Sequence, residues 1–440
     1  MNALRRVAIV GSGISGLAAA HALHGLADVT LFEAGNYFGG HTHTVDVTLP
    51  GEQGLVSHGV DTGFLVFNER TYPQLIHLFA ELGVETAKSD MSFSVKVPGA
   101  SKAANSPGLE WSGASLNSVF AQRGNLANWK FLRMLRDVVR FNRITTQLAE
   151  SGADADAAML QPLSEFLRAE KFSVEFRDWY FLPMMGCIWS CPTDQMLQFP
   201  VATMIRFCHN HGLIQITNRP QWWTVKGGAR HYVEKIIQRI ADKRLNTPVR
   251  WIERDADGVT IATDGQIERF DKVVLAAHSD QSLALLRDAN PIESAVLSAI
   301  RYQANRAVLH TDVSVLPQKK LAWAAWNYER AQDQGRESAR VCLHYLLNKL
   351  QPLPFKQPVV VSLNPTSEIE RKHIMGEFEY THPVFDAAAI RAQKELPKLQ
   401  GLQHTYFCGA WTGYGFHEDG LKSGLQAAKL LLEQPTEATV

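Results

Sequence analysis

The sequence predicts an α/β protein that opens on a strand–turn–helix–strand unit, and three observations near its start carry that expectation. Val7-Ala8-Ile9-Val10 is a short apolar run of the kind that forms a strand buried on both faces. Gly11-Ser12-Gly13-Ile14-Ser15-Gly16 follows at once and leads into an Ala-rich helical segment, Leu17 to Leu23. Val29-Thr30-Leu31-Phe32 is a second run, and it ends in the acid Glu33.

Each spacing has a physical role in a Rossmann-like domain. Gly11 makes the tight turn, Gly13 lets backbone approach a diphosphate, and Gly16 lets the helix pack on its strand. The helix start then offers unbonded N–H groups to phosphate. Glu33 stands 20 residues beyond Gly13, where a carboxylate binds both ribose hydroxyls and repels a 2′-phosphate, which disfavours NADP. With strand, helix, second strand and acid all in register, the glycine pattern is specific for a dinucleotide. It does not choose between NAD and FAD.

Composition removes several other classes. With 45% hydrophobic and 20% charged residues, the chain is neither disordered nor of low complexity. Forty-four basic residues balance 44 acidic ones, so no global field draws nucleic acid. The five cysteines, Cys187, Cys191, Cys208, Cys342 and Cys408, are an odd and scattered set; buried free thiols are expected rather than a disulfide framework. No stretch reaches the ~18 apolar residues of a spanning helix. Arg5 and Arg6 before an apolar run superficially suggest an export signal, but Gly11, Gly13 and Gly16 interrupt it, and a cytoplasmic enzyme is the expectation.

Further along, Val225-Lys226-Gly227-Gly228-Ala229 precedes a helical pattern, Tyr232 to Ile240. Val249–Ile252, a turn at Asp255–Gly258, and Val259–Ile261 read as a hairpin, and Asp271–Ala277 as another buried strand. Thr405–Ala410 is a strand ending in glycine, and Gly420–Ala428 begins a helix. These segments, with Gly39-Gly40 after the ribose acid and Asp61-Thr62-Gly63-Phe64, resemble the flavin-containing amine oxidoreductase superfamily of amine oxidases, protoporphyrinogen oxidases and phytoene desaturases. The matches fall at both ends and the centre, over roughly a third of the chain.

The resemblance implies FAD, its diphosphate at the Gly11–Gly16 turn and its ring between Gly63, Gly409 and the 413–421 loop. The implied cofactor contacts are Gly11, Ser12, Gly13, Ile14, Ser15, Gly16 and Glu33, then Gly40, His41, Thr42, Gly63, Phe64 and Val249, and finally Gly409, Ala410, Phe416, His417 and Leu421. It also implies a three-layer FAD-binding domain assembled from 1–70, 213–280 and 390–434, with a mixed sheet-and-helix (α+β) substrate domain from 71–212 and 281–389. Gly39–Thr44 and Asn327 within Ala324–Tyr328 resemble most a bacterial subgroup associated with cyclopropane or methyl-branched fatty acid enzymes, which points to lipid chemistry.

The chain departs from the family pattern twice. Where many members continue Gly-Gly-Arg, His41 stands here, and its charge near neutral pH is conditional. Where oxygen-using amine oxidases carry a lysine, the strand Gln303–His310 offers Asn305 or Arg306, which speaks against rapid amine oxidation. No metal is expected at His41, His43 and His58.

In the substrate segments, Tyr72–Leu82 reads as a helix, and Asn125–Leu148 as a longer one with an apolar face of Leu126, Trp129, Leu132, Leu135, Val138 and Val139. Lys130, Arg133, Arg136, Arg140 and Arg143 run beside that face with Asp137 alone opposing them, a pattern that suits either a solvated helix or peripheral contact with the inner membrane face. Trp323, Trp326, Trp411, Tyr414 and Phe416 are expected to wall the substrate pocket, and His310, His417 and Tyr414 are the titratable candidates for catalysis. No hydrolase, Walker or zinc motif is present. The expectation is FAD-dependent dehydrogenation (desaturation) of a small hydrophobic or lipid substrate, with an amine or polyamine oxidase, a double-bond isomerase and a non-catalytic flavin-binding partner protein as the alternatives.

Overall fold

The computed structural model describes residues 5–98, 108–150, 161–189, 193–214, 219–330 and 341–433. A five-stranded parallel sheet lies at its nucleotide end, in the order Asp242–Arg244, Asp28–Phe32, Arg6–Val10, Lys272–Leu275, Thr405–Phe407. Neighbours in this sheet are far apart in sequence, as parallel pairing requires crossovers. Val7, Ala8 and Ile9 in the central strand are fully buried, because helices cover one face and a three-stranded antiparallel layer the other. That layer contains the expected hairpin, Val249–Asp255 with Gly258–Thr263, joined by Ile267–Phe270.

Helix Ile14–Leu23 packs against helix His417–Glu433, and glycine makes that approach possible. A Cβ on Gly424 would fall 2.1 Å from the Ser15 carbonyl oxygen, and one on Gly16 1.9 Å from that of Gly11.

The second large sheet has seven strands, in the order Ile374–Val384, Arg301–His310, Val360–Leu363, Cys342–Leu346, Trp326–Glu329, Phe93–Val97, Leu109–Ser112. Trp326–Glu329 pairs in parallel with Phe93–Val97, so segments more than 200 residues apart share one sheet. Helices Leu116–Val119 and Leu182–Trp189 pack on it, and Trp129–Glu150 packs in turn on Val201–Asn210. The expected helix over 72–82 spans Pro73–Leu82 and buries Leu75, Leu78, Phe79 and Leu82.

The expected helix over 125–148 differs in two respects. A short 3₁₀ turn, Arg123–Ala127, precedes it, and the α-helix runs Trp129–Glu150, with Asn128 Oδ1 accepting from the Lys130 and Phe131 N–H groups. Its packed face is also the other one: Phe131, Met134, Asp137, Phe141, Asn142 and Thr145 are buried, while Leu126, Trp129, Leu132 and Val139 are exposed. Phe141 sits among Phe172, Phe176 and Phe181, and this aromatic cluster captures that side of the helix. Nor does Asp137 alone oppose the arginines: Arg133 pairs with Glu175 and Arg140 with Glu170, both from a separate segment. No helix among the described residues is long and apolar enough to cross a membrane. Cys187, Cys208, Cys342 and Cys408 are buried free thiols; Cys191 lies outside the described residues.

Candidate active site

One continuous cavity of about 700 Å³ runs from the glycine turn to the aromatic residues between the two sheets. At its nucleotide end, Gly11 holds a φ of +102° and donates its N–H to the Phe32 carbonyl at 2.9 Å. A Cβ on Gly11 would meet the Ala276 oxygen at 2.9 Å, whereas one on Gly13 would meet nothing within 4 Å. The backbone at Gly13 thus faces open space at the start of a helix that has no side-chain cap, leaving N–H groups free for an anion. Glu33 accepts from the Ser12 N–H at 3.0 Å, the Ser12 hydroxyl at 2.5 Å and the Gly35 N–H at 2.8 Å, which holds its carboxylate beside that turn. Gly11–Ser15, Glu33 and Val249 all line the cavity; Gly16 stands behind it against the Gly11 backbone.

In the middle, the glycine doublet brings His41 to the wall, since a Cβ on Gly40 would lie 3.1 Å from Gly13 Cα. Phe64 donates its N–H to the His41 carbonyl at 2.7 Å, and Gly63 passes so close that a Cβ there would strike the same oxygen. The His41 Nε2 is buried with no hydrogen-bond partner, and burial together with nearby histidines holds the ring neutral, its pKa lowered to about 3. His417 stacks on Phe64 at 3.8 Å and lies 2.8 Å from the Tyr232 hydroxyl; burial lowers its pKa to about 3. Asp61 stands behind this wall, accepting from Ala229 N–H, Gln351 and Thr44, and so ties the central glycine segment to the Gly63 strand; burial pushes its pKa up to about 6. Asp419 accepts from the Tyr414 and Phe416 N–H groups and shapes the 413–417 loop.

The far end is aromatic and apolar: Tyr72, Trp189, Phe207, Trp222, Trp326, Tyr345, Val361, Leu363 and Phe416. Phe416 stacks on Phe207 at 4.8 Å, and Tyr414 lies edge-on to the same ring. Trp326 meets Tyr345 edge-on at 4.9 Å.

Several expected residues stand elsewhere. His310 projects from the opposite face of its strand, where its Nε2 is 2.7 Å from the Ser362 hydroxyl; strand alternation gives the cavity side to Leu309 and Ala307 instead. Trp323 packs with Leu316, Val360 and Ile369 on that same far face, its N–H on the Pro317 carbonyl. Trp411 touches the cavity from the nucleotide side only: it is held in the core with Val249, Leu275 and Phe407 and donates to the Ala277 carbonyl. Thr42 and Leu421 stand behind the wall, Thr42 on the Tyr232 hydroxyl and Leu421 in the core between helices. At the position of the amine-oxidase lysine, Arg306 faces solvent and pairs with Glu377, while Asn305 is buried with its amide 2.9 Å from His382 Nδ1. His43 stacks on Tyr37 at 4.1 Å and His58 packs edge-on against Phe355, away from His41.

Sequence reading missed His278, Tyr302, Tyr380, His382 and His211, all of which line the cavity. For two of them the signal available was Tyr380 and His382 at alternate positions of Ile374–Val384, which becomes meaningful only once that strand is paired with Arg301–His310.

Residues 14–342 match the family model described as flavin containing amine oxidoreductase. No curated protein matches the sequence. Among solved structures, cyclohexylamine oxidase from Brevibacterium oxydans is similar, with 18% identity, a TM-score of 0.68 and coverage of 98% of this chain and 99% of that one. Putrescine oxidase bound to putrescine aligns with 15% identity, a TM-score of 0.67 and 98% and 99% coverage. A fatty acid isomerase from P. acnes, described as producing CLA, aligns with 16% identity, a TM-score of 0.64 and 97% and 98% coverage. These likenesses are to the fold, whereas the family match spans about three quarters of the sequence. The chain therefore belongs to the flavin-containing amine oxidoreductases and is an FAD-dependent oxidoreductase.

Proposed function

We propose that this protein dehydrogenates a hydrophobic substrate, a modified fatty acyl chain, held in the aromatic end of the cavity. The observation that carries this reading is the charge of the wall. Among the described residues the lining holds a single carboxylate, Glu33, and it stands at the opposite, nucleotide end. An ammonium substrate has no counter-ion where it would sit, whereas an acyl chain is matched by Trp189, Phe207, Trp326, Val361, Leu363 and Phe416. The residues present fit FAD: an open glycine cradle, an uncapped helix start, an acid beside the turn and a continuous path to the aromatic end.

Bound FAD supplies a hydride acceptor. The protein's part is then to position a C–H bond and exclude water. Phe416 stacked on Phe207, with Tyr414 edge-on to it, forms an aromatic group that fixes the chain laterally, and Asp419 fixes the loop carrying two of them. Both histidines that face this region are neutral at physiological pH, His417 with a pKa of about 3 and His211 of about 4, each because it is buried. Neither carries a charge that would disfavour an apolar guest.

Anaerobic mixing of the holoprotein with phospholipids bearing saturated, methyl-branched or cyclopropane chains tests the reading. Stable bleaching of the flavin spectrum with an unsaturated product supports dehydrogenation. Product with no lasting bleaching shows an isomerase, bleaching by polyamines alone shows an amine oxidase, and no response to any of them leaves a flavin-binding partner protein.

We also propose that helix Trp129–Glu150 rests on an anionic lipid surface. Trp129 (61% exposed), Leu132 and Val139 lie on its outer face with Arg136 and Arg143, and Leu126 and Val174 are exposed nearby. Apolar side chains interleaved with arginine complement a bilayer's acyl boundary and its phosphates. The inner side of this helix packs on Val201–Asn210, whose Phe207 walls the cavity, so the surface is one element away from the acyl site. Flotation with phosphatidylglycerol vesicles should be lost in Trp129→Ala/Arg136→Glu; flotation unchanged from the parent overturns this contact.

A further inference from the structure

The cavity has to take two negative charges from the FAD diphosphate out of water, yet among the described residues no lysine or arginine lines it. Backbone N–H groups at the helix start offset part of this charge. Fully burying the remainder without a cation is costly. The side chains on the wall that are able to become cationic are histidines, and three of them converge beside the glycine turn.

His41 follows the glycine doublet that rests on Gly13, His278 follows strand Lys272–Leu275 and precedes helix Ser279–Leu285, and His382 lies on strand Ile374–Val384. The rings of His41 and His382 are 5.3 Å apart. His278 stacks on Tyr302 at 4.2 Å, and its Nδ1 lies 3.4 Å from the Thr381 hydroxyl, one residue before His382. The Asn305 amide donates to His382 Nδ1 at 2.9 Å, which puts the ring proton on Nε2; a second proton on this ring enters at Nδ1 and displaces that bond, the Asn305 amide keeping the Gln303 carbonyl at 3.1 Å. His41 Nε2 is the unpartnered atom: it is buried, on the wall, and bonded to nothing among the described residues.

We propose that His41, His278 and His382 form the cationic half of the diphosphate site, and that FAD binding draws protons from solvent onto this trio. The proposal rests on the reading of this cavity as the FAD site. In the protein without cofactor, burial and mutual repulsion keep the rings neutral: His41 is lowered to about 3, His382 to about 4, and His278 also lies below the usual histidine range. The groups facing them are His417 from the last helix, Tyr380 beside His41, Asn305 beside His382 and Tyr302 against His278. Among the described residues Asp280, two positions beyond His278, is the carboxylate acting on the trio, so the cation-stabilising anion has to be brought in by the ligand. A diphosphate does this, and raises the affinity of each ring for a proton.

The sign follows from linkage. A group whose pKa is raised on binding favours the complex at low pH, and the gain is lost as pH rises through the bound-state value. FAD binding by the protein stripped of cofactor, followed by flavin fluorescence from pH 5.5 to 8.5, should weaken with rising pH, by about tenfold per unit for each proton taken up. Calorimetry in buffers of different ionisation heat should show net proton uptake at the low end of that range. His41→Arg, with a permanent charge, should flatten the profile while retaining FAD, and His41→Gln should weaken binding most at low pH. His382→Gln gives a second measurement if the arginine variant misfolds, as judged by circular dichroism. A flat wild-type profile with no proton uptake overturns the proposal. Failure to bind FAD at any pH overturns the cavity assignment beneath it, and the two failures are distinct.

Discussion

Arg254 and Glu293 are joined by two hydrogen bonds, 2.6 and 2.8 Å long, with both side chains fully buried. They fasten the Val249–Asp255 hairpin to helix Pro291–Ser298, and Asp288 adds a third, partly exposed contact at 3.0 Å. Removing Glu293's charge leaves only the partly exposed Asp288 to offset the buried guanidinium. Glu293→Gln should therefore lower unfolding free energy by about 3–5 kcal/mol in denaturant titrations. The double replacement Arg254→Met/Glu293→Leu should cost much less, and an equal loss in both variants would contradict this account.

The glycines of the nucleotide end separate folding from cofactor binding. Gly13→Ala meets nothing in the protein and should cost about 1 kcal/mol or less, yet it fills the open cradle and should weaken FAD binding by at least about tenfold. Gly424→Ala drives a methyl into the Ser15 carbonyl and should cost about 1–3 kcal/mol, with FAD lost because the first turn of Ile14–Leu23 is displaced. Thermal unfolding and FAD content of purified protein, read together, check both.

Asp61 gives a pH dependence. Its pKa of about 6 lies above the ordinary ~3.9 of an unfolded chain, because burial penalises the carboxylate. The native state thus holds an extra proton between those values, and stability falls as pH rises from about 4 to about 6. Asp61→Asn removes this response, so its stability relative to wild type should rise by about 3 kcal/mol from pH 4 to pH 7. A constant difference across that range would show that Asp61 titrates normally.

His310 should matter to stability and not to turnover. Asp312 donates its N–H to His310 Nδ1 at 3.1 Å and Ser362 lies on Nε2, so His310→Leu removes both bonds, leaving the Asp312 N–H without its acceptor while Ser362 keeps His344, and should cost about 1–3 kcal/mol. Its kcat and KM should be unchanged. Phe416→Ala, on the cavity wall, should raise KM for an acyl substrate several-fold with little loss of stability, and steady-state kinetics on both variants test the contrast.

The nucleotide end was legible because its rules are local. Gly11, Gly13, Gly16 and Glu33 carry their roles in their spacing, and the hairpin at 249–261 announces itself through its turn. Where long-range pairing decides, the sequence was ambiguous. Helix Trp129–Glu150 carries apolar residues on two sides, and the choice between them was made by Phe172, Phe176 and the acids of a separate segment. His310 stands on the far face because strand alternation assigns a side only when the register is known, and Trp323 follows a short 3₁₀ turn whose direction no local pattern sets. The histidine trio was invisible for the same reason: more than 200 residues separate His41 from His278, and a further 104 lead to His382.

The strand order has a consequence for biosynthesis. Arg6–Val10 is synthesised before every other strand of its sheet but lies at the sheet's centre, and residues 242–244, 272–275 and 405–407 are made much later. At about 5–20 residues per second, the opening strand waits on the order of 20–80 s for the last strand and its helix. During that interval its apolar faces and the glycine turn have no lasting cover. Shielding of the nascent chain is thus needed most at the very segment that carries the glycine turn.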